Sequence, residues 1–397
     1  MKSGIWRAYI FTTFLHYSPL IWYILPLFII LSSIFLHFFM FFLTLCAIIF
    51  TMKNVIKIAY KCLILAIFTV NSLFFASCSS NPNSTLNHSP SAVSRHLNEN
   101  VNKDFGNDKK DIVIFSTNDA FSSYNENLSY ASIKHFIDNF NRKENYVTFV
   151  DTGNFTAGEN GKVSNGKSSI DIMNLMDYDI VVPGSNDFDY GIDAFIENMT
   201  NLKSDIVCCN MVNLKNNSYY FEPFVIYKYG DFKVAYVGVT SPEALFTKGN
   251  ENYFFDENGN QTIYFFEDST GEALYSQIQK SVNAAIEKGA NKVVLLSHLG
   301  VENVTPIWSS TAVISHTNGI DAVIDGHSKE VLDNGLMINK DGAFIPLVEA
   351  GSNLSNVGVM NIMKDGYVFP AEMSKNSINV KDENIQSKID EIINKYN

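Results

Sequence analysis

Residues 181–191 read VVPGSNDFDYG, an apolar run that stops at proline and glycine and gives way to polar and acidic residues. An apolar run bounded by turn residues is typical of a buried strand. In α/β folds, ligands bind at the loops that follow the carboxyl ends of the strands. The stretch therefore predicts a buried strand and places a candidate functional loop at residues 184–189.

The same pattern recurs along the chain, because apolar runs of strand length alternate with segments in which apolar residues recur every three or four positions. The predicted strands are DIVIFST (111–117), YVTFVD (146–151), YDIVVP (178–183), DIVCC (205–209), FKVAYVGV (232–239), KVVLLSH (292–298), IDAVID (320–325) and AFIPLVE (343–349). The predicted helices are YASIKHFIDNFNR (130–142), SSIDIMNLM (168–176), IDAFIENMTN (192–201) and ALYSQIQKSVNAAIEKG (273–289). This alternation predicts an α/β fold in which helices cover the sheets.

Polar residues follow six of the predicted strands, at the point where each strand ends. Because ligands gather at the carboxyl ends of strands in such folds, these residues are the candidates for a common site. They are Asn118-Asp119, Asp151 to Asn154, Gly184 to Asp189, Asn210, His298 and Gly326-His327.

Six short motifs contain these residues: STNDAF, DTGNFTAGE, GSNDFDYG, CCNMVN, LLSHLG and DGHSKE. In this order they resemble the motif set of the 5′-nucleotidase branch of the calcineurin-like metallophosphoesterases, over residues 111–375. The resemblance implies a four-layer α/β/β/α sandwich with a site for two divalent metals between its sheets. It also implies a metal-bridged water that attacks phosphorus, and a histidine, oriented by an aspartate, that stabilises the developing charge.

The resemblance assigns roles to nine positions of this sequence, and five of them carry a residue that differs from the family's. The retained metal-ligand positions are Asp119, His298 and His327. The substituted ones are Phe121 and Lys329, where the family has imidazole or amide ligands, Asn154, where it has the bridging aspartate, and Ser185, where it has asparagine. Of the catalytic pair, Asn186 replaces the histidine and Asp189 is retained. Asp189 also fits an ordinary turn requirement, and both histidines also fit ordinary hydrogen-bonded positions at strand ends.

The substitutions oppose metal binding for separate physical reasons. Two dications about 4 Å apart repel by about 17 kcal/mol at an effective dielectric of about 20, so a bridging carboxylate is needed. Asn154 is neutral, Phe121 has no lone pair, and Lys329 adds a positive charge. The sequence therefore predicts a catalytically impaired module with a binding or structural role, which holds no metal or one weakly bound divalent metal.

An alternative stays open, in which the protein is an active divalent-metal-dependent phosphoesterase with an atypical ligand set. In that case His298, His327 and the Asn154 carbonyl oxygen would hold a single ion. For the metal-free form, we expect the Lys329 ammonium to point inward and pair with Asp119, because an unpaired buried carboxylate is costly.

The charge of the chain argues against nucleic acid as a partner. The net charge is −12, and the first 78 residues carry +5 from Lys2, Arg7, Lys53, Lys57 and Lys61, which leaves −17 for residues 79–397. An acidic surface repels phosphate backbones, and no basic stripe is present in the sequence. The ligand itself is not indicated.

The amino-terminal region divides into three predicted segments. Residues 1–51 are a hydrophobic leader, a transmembrane segment or the product of a misplaced start, because positions 8–52 contain no Asp, Glu, Lys or Arg. Residues 52–77 resemble a bacterial lipoprotein signal peptide that ends in LFFASC, which makes Cys78 the lipidated first residue of the mature protein. Residues 78–110 are predicted to be a flexible polar tether. Together these segments predict an exported protein, anchored through Cys78 to a membrane of the bacterial cell envelope.

The remaining chain is predicted as a metallophosphoesterase-like domain at residues 111–378 and a helix at residues 379–397. The two-domain nucleotidases of the family add a carboxy-terminal domain that binds the base, and no such domain is expected here. The adjacent Cys208 and Cys209 point to opposite faces of a strand, which predicts two buried, inert thiols and no disulfide between them.

Lipidation of Cys78 is testable on the native protein. The amino-terminal peptide of the mature protein is expected to begin at Cys78 and to carry acyl chains, which mass spectrometry measures directly. A mature protein that retains residues 1–77 would contradict the lipoprotein assignment.

Overall fold

The computed structural model describes residues 101–124, 127–140, 142–247, 249, 253–371, 373 and 375–397. The predicted leader, the signal peptide, Cys78 and the first part of the tether lie outside these residues. Within the described part of the chain, no helix is both long enough and apolar enough to cross a membrane.

Seven α-helices and four short 3-10 helices occur among the described residues. The α-helices are α1 (Tyr130–Asn139), α2 (Glu159–Lys162), α3 (Lys167–Met176), α4 (Ile192–Asn201), α5 (Glu272–Glu287), α6 (Ser310–His316) and α7 (Glu383–Tyr396). The 3-10 helices span Ser185–Phe188, Pro242–Leu245, Pro306–Trp308 and Lys375–Ile378.

The strands build two large sheets and one small one. The strands are β1 (Lys103–Asp104), β2 (Asp111–Thr117), β3 (Asn145–Asp151), β4 (Ile180–Val181), β5 (Asp205–Ile206), β6 (Met211–Asn213), β7 (Ser218–Tyr219), β8 (Phe224–Tyr229), β9 (Phe232–Thr240), β10 (Ile263–Phe265), β11 (Lys292–His298), β12 (Ala322–Asp325), β13 (Val331–Ile338), β14 (Phe344–Ala350), β15 (Gly358–Ile362) and β16 (Val368–Ala371). The seven-stranded sheet has the order β1-β8-β9-β11-β12-β14-β13, and the six-stranded sheet has the order β16-β15-β2-β3-β4-β5. A three-stranded sheet has the order β10-β6-β7.

Three apolar cores separate four layers. In β2, Ile112 and Ile114 face the core between the two large sheets, whereas Val113 and Phe115 face the helices that cover the six-stranded sheet. In β11, Val294 and Leu296 face the same inter-sheet core, and the alternate residues face α5 and α6. Alternating side chains that are buried on both faces require cover on both sides of each sheet. The predicted four-layer α/β/β/α sandwich is confirmed.

The predicted strands and helices are present, although several strands are shorter than their apolar runs. The sequence analysis did not predict β1, β6, β7, β8, β10, β13, β15 or β16, or the short helices α2 and α6. Lys103–Asp104, inside the segment predicted as a tether, pairs in parallel with β8. Cys208 and Cys209 are free and buried, as predicted, and they belong to different cores. They follow β5, which ends at Ile206, so they do not lie in a strand as the sequence suggested.

Two acidic side chains lie next to each other on β12 and β14. Asp325 and Glu349 are partners in the parallel register, and both are fully buried. Burial, followed by the charge of Asp325, raises the pKa of Glu349. The folded state therefore holds a proton that the unfolded chain releases above about pH 4.3. Because the folded state keeps this proton, the free energy of unfolding falls as pH rises.

Glu349→Gln is expected to flatten the dependence of stability on pH. The folded-state pKa of Glu349 lies above the unfolded value, so the free energy of unfolding falls with rising pH by up to about 1.4 kcal/mol per pH unit for one group. Urea denaturation at about pH 5 and about pH 8 measures the difference. The exposed Glu330→Gln is the matched control, and parallel profiles for the native protein and Glu349→Gln would contradict the assignment.

Candidate functional site

Loops from both large sheets meet at the carboxyl ends of the strands and bring six polar side chains together. The six-stranded sheet supplies Asp119 after β2, Asn154 after β3 and Ser185 after β4, and the seven-stranded sheet supplies Glu243 after β9, His298 at the end of β11 and His327 after β12. We call these six residues the polar cluster. Its members are hydrogen-bonded across the two sheets, for example from the His327 backbone N–H to Asp119 Oδ2 at 2.7 Å.

The carboxylate of Asp119 is fully buried and is held by neutral donors. Its Oδ1 accepts a hydrogen bond from Asn154 Nδ2 at 2.7 Å. Its Oδ2 accepts from the His327 backbone N–H at 2.7 Å and from Asn118 Nδ2 at 2.8 Å. Hydrogen bonds to a charged acceptor contribute about 1.5–3 kcal/mol each, which offsets the cost of burying the charge. Asp119 is therefore satisfied without a cation in contact with it.

Lys329 does not pair with Asp119, so the predicted inward ammonium was wrong. The Lys329 side chain is exposed, and its Nζ lies 4.5 Å from the centroid of the Phe121 ring. Both oxygens of Asp119 already accept hydrogen bonds from other groups. Phe121 is half-buried. An exposed ammonium above the ring keeps much of its hydration, which burial beside Asp119 would remove.

The side-chain amide of Asn154 links the loops that follow β2, β3 and β4. Besides its bond to Asp119, Nδ2 donates to Asn186 Oδ1 at 3.3 Å, and Oδ1 accepts from the Asn186 backbone N–H at 2.7 Å. Gly184 permits this contact, because a Cβ at that position would lie 2.3 Å from Asn154 Oδ1. Both the donor and the acceptor of the amide are thus engaged within the protein.

Asp187, which sequence reasoning did not single out, fixes the loop that carries Ser185. Its carboxylate accepts hydrogen bonds from the backbone N–H groups of Gly184 at 2.8 Å, Asn154 at 2.9 Å and Thr156 at 2.9 Å, and from Thr156 Oγ1 at 2.7 Å. Burial raises the pKa of Asp187 to about 6 in spite of these bonds. Nothing in the sequence distinguishes this buried aspartate from the exposed Asp189 two residues later.

His298 and His327 face each other through their ring nitrogens. His298 Nε2 lies 3.3 Å from His327 Nδ1, while the other nitrogen of each ring contacts an oxygen. His298 Nδ1 lies 2.5 Å from the carbonyl oxygen of Thr152, and His327 Nε2 lies 3.1 Å from Glu243 Oε2. Burial lowers the pKa of His298 to about 4, so this ring is neutral at neutral pH.

Glu243 and Ser185 complete the contacts of His327. Burial alone would raise the pKa of Glu243, but hydrogen bonds from His327 and Thr305 lower it below the usual value. Ser185 Oγ lies 3.4 Å from His327 Nδ1. Sequence reasoning missed Glu243, although it lies three residues after Thr240, the last residue of β9. The rule that strand ends carry site residues would have found it.

The predicted catalytic pair lies at the rim of the polar cluster. Asn186 Nδ2 is 3.4 Å and 3.5 Å from the two carboxylate oxygens of Asp189, which is the outer limit of a hydrogen bond. Asn210 does not join the cluster. Its side chain is buried and bonds to the backbone N–H and C=O of Thr240, so it ties the end of β9 to the segment between β5 and β6.

Five assigned positions have a left-handed backbone. The φ angles are 49° for Asp119, 49° for Phe121, 61° for Asn154, 84° for His327 and 62° for Lys329. Non-glycine residues with such angles are uncommon, and each costs about 1–3 kcal/mol, so the conformation persists only where the surroundings hold it in place. The backbone of this site is therefore shaped by its neighbours and not by the local sequence.

A family model described as calcineurin-like phosphoesterase matches residues 118–330, which make up more than half of the chain. The chain belongs to this family. The matched segment contains the whole polar cluster.

Curated relatives of this calcineurin-like domain include nucleotidases. Snake venom 5′-nucleotidase of Naja atra is 24% identical over 221 residues, which cover 50% of this chain and 37% of that protein. The 2′,3′-cyclic-nucleotide 2′-phosphodiesterase/3′-nucleotidase of Haemophilus influenzae is 25% identical over 229 residues, which cover 52% of this chain and 33% of that protein. The chain spans about a third of the length of these relatives.

Solved structures share the fold of the calcineurin-like domain. The calcineurin-like phosphoesterase YfkN from Bacillus subtilis aligns with a TM-score of 0.56 at 20% identity, over 72% of this chain and 98% of that one. A 5′-nucleotidase precursor from Thermus thermophilus aligns with a TM-score of 0.57 at 19% identity, over 72% of this chain and 58% of that one. At these identities the likeness establishes the fold alone.

Two divalent metals, the norm of this calcineurin-like family, do not fit the donors that are present. Phe121 has no donor atom, the Asn154 amide is engaged with Asp119 and Asn186, and the Lys329 ammonium is a cation. In the described part of the chain, no three His, Cys, Asp or Glu side chains form a group that could hold a metal ion. Two imidazoles remain as strong ligands, and they lie on one side of the cluster.

Asn154→Asp tests how the calcineurin-like domain balances the charge of Asp119. A carboxylate at this position loses the 2.7 Å hydrogen bond to Asp119 and places two like charges in contact. In chelator, we expect the variant to be less stable by at least about 2 kcal/mol, measured by urea denaturation. Asn334→Asp, at an exposed position, is the control. Equal stability of the native protein and Asn154→Asp would contradict the role given to the amide.

Proposed function

We propose that this protein is a lipoprotein of the bacterial cell envelope whose calcineurin-like, 5′-nucleotidase-related domain has lost two-metal hydrolysis and serves as a binding or structural module. One observation carries the proposal. The Asn154 amide, at the position of the family's bridging carboxylate, donates a hydrogen bond to Asp119 at 2.7 Å. A neutral donor at this position attracts the carboxylate of Asp119 and does nothing to offset the charge of two metals.

The residues around the phosphoryl position support the same proposal. The family's catalytic histidine is replaced by Asn186, whose amide has no titratable group to assist proton transfer. Asp189, the acid that would orient such a histidine, contacts this amide only at 3.4 Å or more. The loss thus extends from the metal ligands to the group that would stabilise the transition state.

The envelope location is supported by the sequence of the amino-terminal region. A signal-like segment that ends at Cys78, followed by a polar stretch, occurs in the order that a lipid-anchored protein requires. The membrane is the partner that this order implies. The acidic balance of residues 79–397 argues for a protein or small-molecule partner of the module over nucleic acid.

A second function is favoured by the histidine pair. His298 Nε2 and His327 Nδ1 lie 3.3 Å apart and could serve one divalent metal, which would support a slow phosphoesterase with an atypical ligand set. Metal-bound water is the nucleophile that such an ion supplies. Activity separates the two functions, because the module hydrolyses no phosphoester under any metal condition.

A quintuple variant that restores the family's residues tests the proposal. Its hydrolytic activity serves as the positive control for the inactive native protein. Phe121→His, Asn154→Asp, Ser185→Asn, Asn186→His and Lys329→Gln together restore the family's residues on a backbone that already holds the assigned positions. With Mn²⁺, we expect the variant to bind two metals and to hydrolyse a chromogenic phosphodiester or a nucleoside monophosphate. The native protein is expected to show no activity above the chelator blank.

Two results would contradict the proposed function. One is hydrolysis by the native full-length protein that depends on added metal and is abolished by His298→Ala. The other is two equivalents of metal in the native protein by elemental analysis. A quintuple variant that folds but binds no metal would instead show that the pocket has changed beyond its side chains, and the claim that five substitutions explain the loss would fall.

A further inference from the structure

The edges of the two large sheets differ in how they are protected against pairing with another strand. Natural proteins protect a sheet edge with very short strands, proline, charged side chains or bulges. The edge strands β1 and β5 are two residues long, and the edge strand β16 contains Pro370. The edge strand β13 is eight residues long and contains no proline, lysine or arginine, and among the strands that the structure describes it pairs only with β14. This edge is therefore the least protected.

The second half of β13 is a regular strand. A bulge between Leu332 and Gly335 interrupts the first half, and from Gly335 to Ile338 every residue has a partner in β14. A bulge protects an edge only where it disrupts the strand. The segment from Gly335 to Ile338 thus keeps the geometry that another strand needs for pairing.

The turn after β13 shows which backbone groups of the strand point away from β14. The Asn339 N–H donates to the Ala343 carbonyl oxygen at 2.9 Å, so the backbone groups of Asn339 point toward β14. In an antiparallel pair this direction alternates from residue to residue. Met337 therefore also points its N–H and C=O toward β14, whereas Leu336 and Ile338 point theirs outward from the sheet edge.

Exposed apolar side chains accompany these outward backbone groups. Met337 packs into the core under the helices, so Leu336 and Ile338 lie on the opposite face of β13, where they are 62% and 56% exposed. Phe344 is the partner of Ile338 on β14 and is 66% exposed. Tyr367, from the turn before β16, is equally exposed and lines the same groove as Phe344. We call Leu336, Ile338, Phe344 and Tyr367 the β13 patch.

The size of the β13 patch follows from these exposed fractions. A fully exposed aromatic side chain presents about 150–250 Å², and a leucine or isoleucine presents roughly 100 Å². The patch therefore exposes roughly 300–450 Å², which is within the range of the largest apolar patch on a typical monomer, and such patches often mark an interaction site.

We propose that β13 is a homodimer interface, in which the β13 strands of two copies pair antiparallel about a two-fold axis at Met337. In this register the outward N–H and C=O groups of Leu336 meet those of Ile338 in the second copy, and the symmetry repeats the contact. Paired residues share a face of the sheet, so the apolar side chains of Leu336 and Ile338 also meet. The inference goes beyond the proposed function and does not depend on it.

The chemistry of the edge favours a second copy over an unrelated partner. The segment from Gly335 to Ile338 is uncharged, and under a two-fold axis each outward donor meets an acceptor and each apolar side chain meets another. Two such patches together bury roughly 600–900 Å², the size of a small, transient interface. We therefore expect a reversible dimer whose dissociation constant lies in the micromolar range.

Sedimentation of the full-length protein in detergent tests the dimer. Between about 1 and about 100 µM we expect the native protein to shift from monomer to dimer. Ile338→Lys is expected to weaken self-association at least about tenfold, because it places a charge in the apolar contact at the sheet edge. Val163→Lys, at a position after α2 that is 67% exposed, is the matched control and should dimerise as the native protein does.

Disulfide cross-linking tests the register. In the proposed pairing, Leu336 and Ile338 of different copies have Cα atoms about 5.5 Å apart, which suits a disulfide. The double variant Leu336→Cys/Ile338→Cys should give a covalent dimer on oxidation. Leu336→Cys alone should not, because the two copies of this residue are about 7–8 Å apart on the diagonal. The native protein, oxidised in parallel, gives the background from its own cysteines.

The outcomes decide between the second copy and other occupants of the edge. A native protein that stays monomeric at about 100 µM would overturn the inference and leave β13 to a lipid surface or a foreign strand. A dimer that Ile338→Lys does not weaken would place the interface elsewhere, and cross-linking of the single variant as strongly as of the double variant would overturn the register. Weakening by Ile338→Lys alone, together with cross-linking of the double variant alone, supports the interface. None of these results bears on hydrolysis or metal content, so the proposed function is tested separately.

Discussion

The site depends on how the two oxygens of a fully buried carboxylate, Asp119, are hydrogen-bonded. In a metal centre a cation would stabilise it, but here three N–H donors do so, from Asn118, Asn154 and the backbone of His327. Each donor comes from a different strand-end loop, so satisfying one carboxylate positions three loops. Two of these loops carry other members of the polar cluster, Asn154 and His327, so the side-chain amide of Asn154 affects the whole arrangement and not a single position.

Much of the fold could be predicted, because buried strands are marked by apolar runs. The strands of the sheet centres, such as β2 and β11, are apolar on both faces and stand out in the sequence. Strands at the sheet edges do not. Seven of the eight residues of β13 are exposed or half-buried, and the strand carries a bulge between Leu332 and Gly335. Periodicity weakens where one face of a strand is open, so β13 and β16 were missed.

The positions of the site residues could also be predicted, but the directions of their side chains could not. Asp119, Asn154, His298 and His327 converge because they share the strand-end position. Lys329 shares its loop with His327, yet its ammonium lies over the Phe121 ring. Several of these residues have left-handed backbones that only the folded surroundings enforce, and local sequence gives no sign of where such a residue aims its side chain. Glu243 was missed although its position after the end of β9 could have been predicted from the sequence. Only its contact with His327 could not.

The division of the polar cluster between the two sheets has a consequence for how the domain comes apart. Asp119, Asn154 and Ser185 belong to one half of the sandwich, and Glu243, His298 and His327 belong to the other. The hydrogen bonds from the His327 N–H to Asp119 and between His298 and Thr152 join the two sheets at one end of the inter-sheet core. Local opening of either half would break these hydrogen bonds and leave the buried Asp119 carboxylate without one of its donors. The polar cluster thereby couples the two halves, and the sandwich is expected to lose its structure as one cooperative unit.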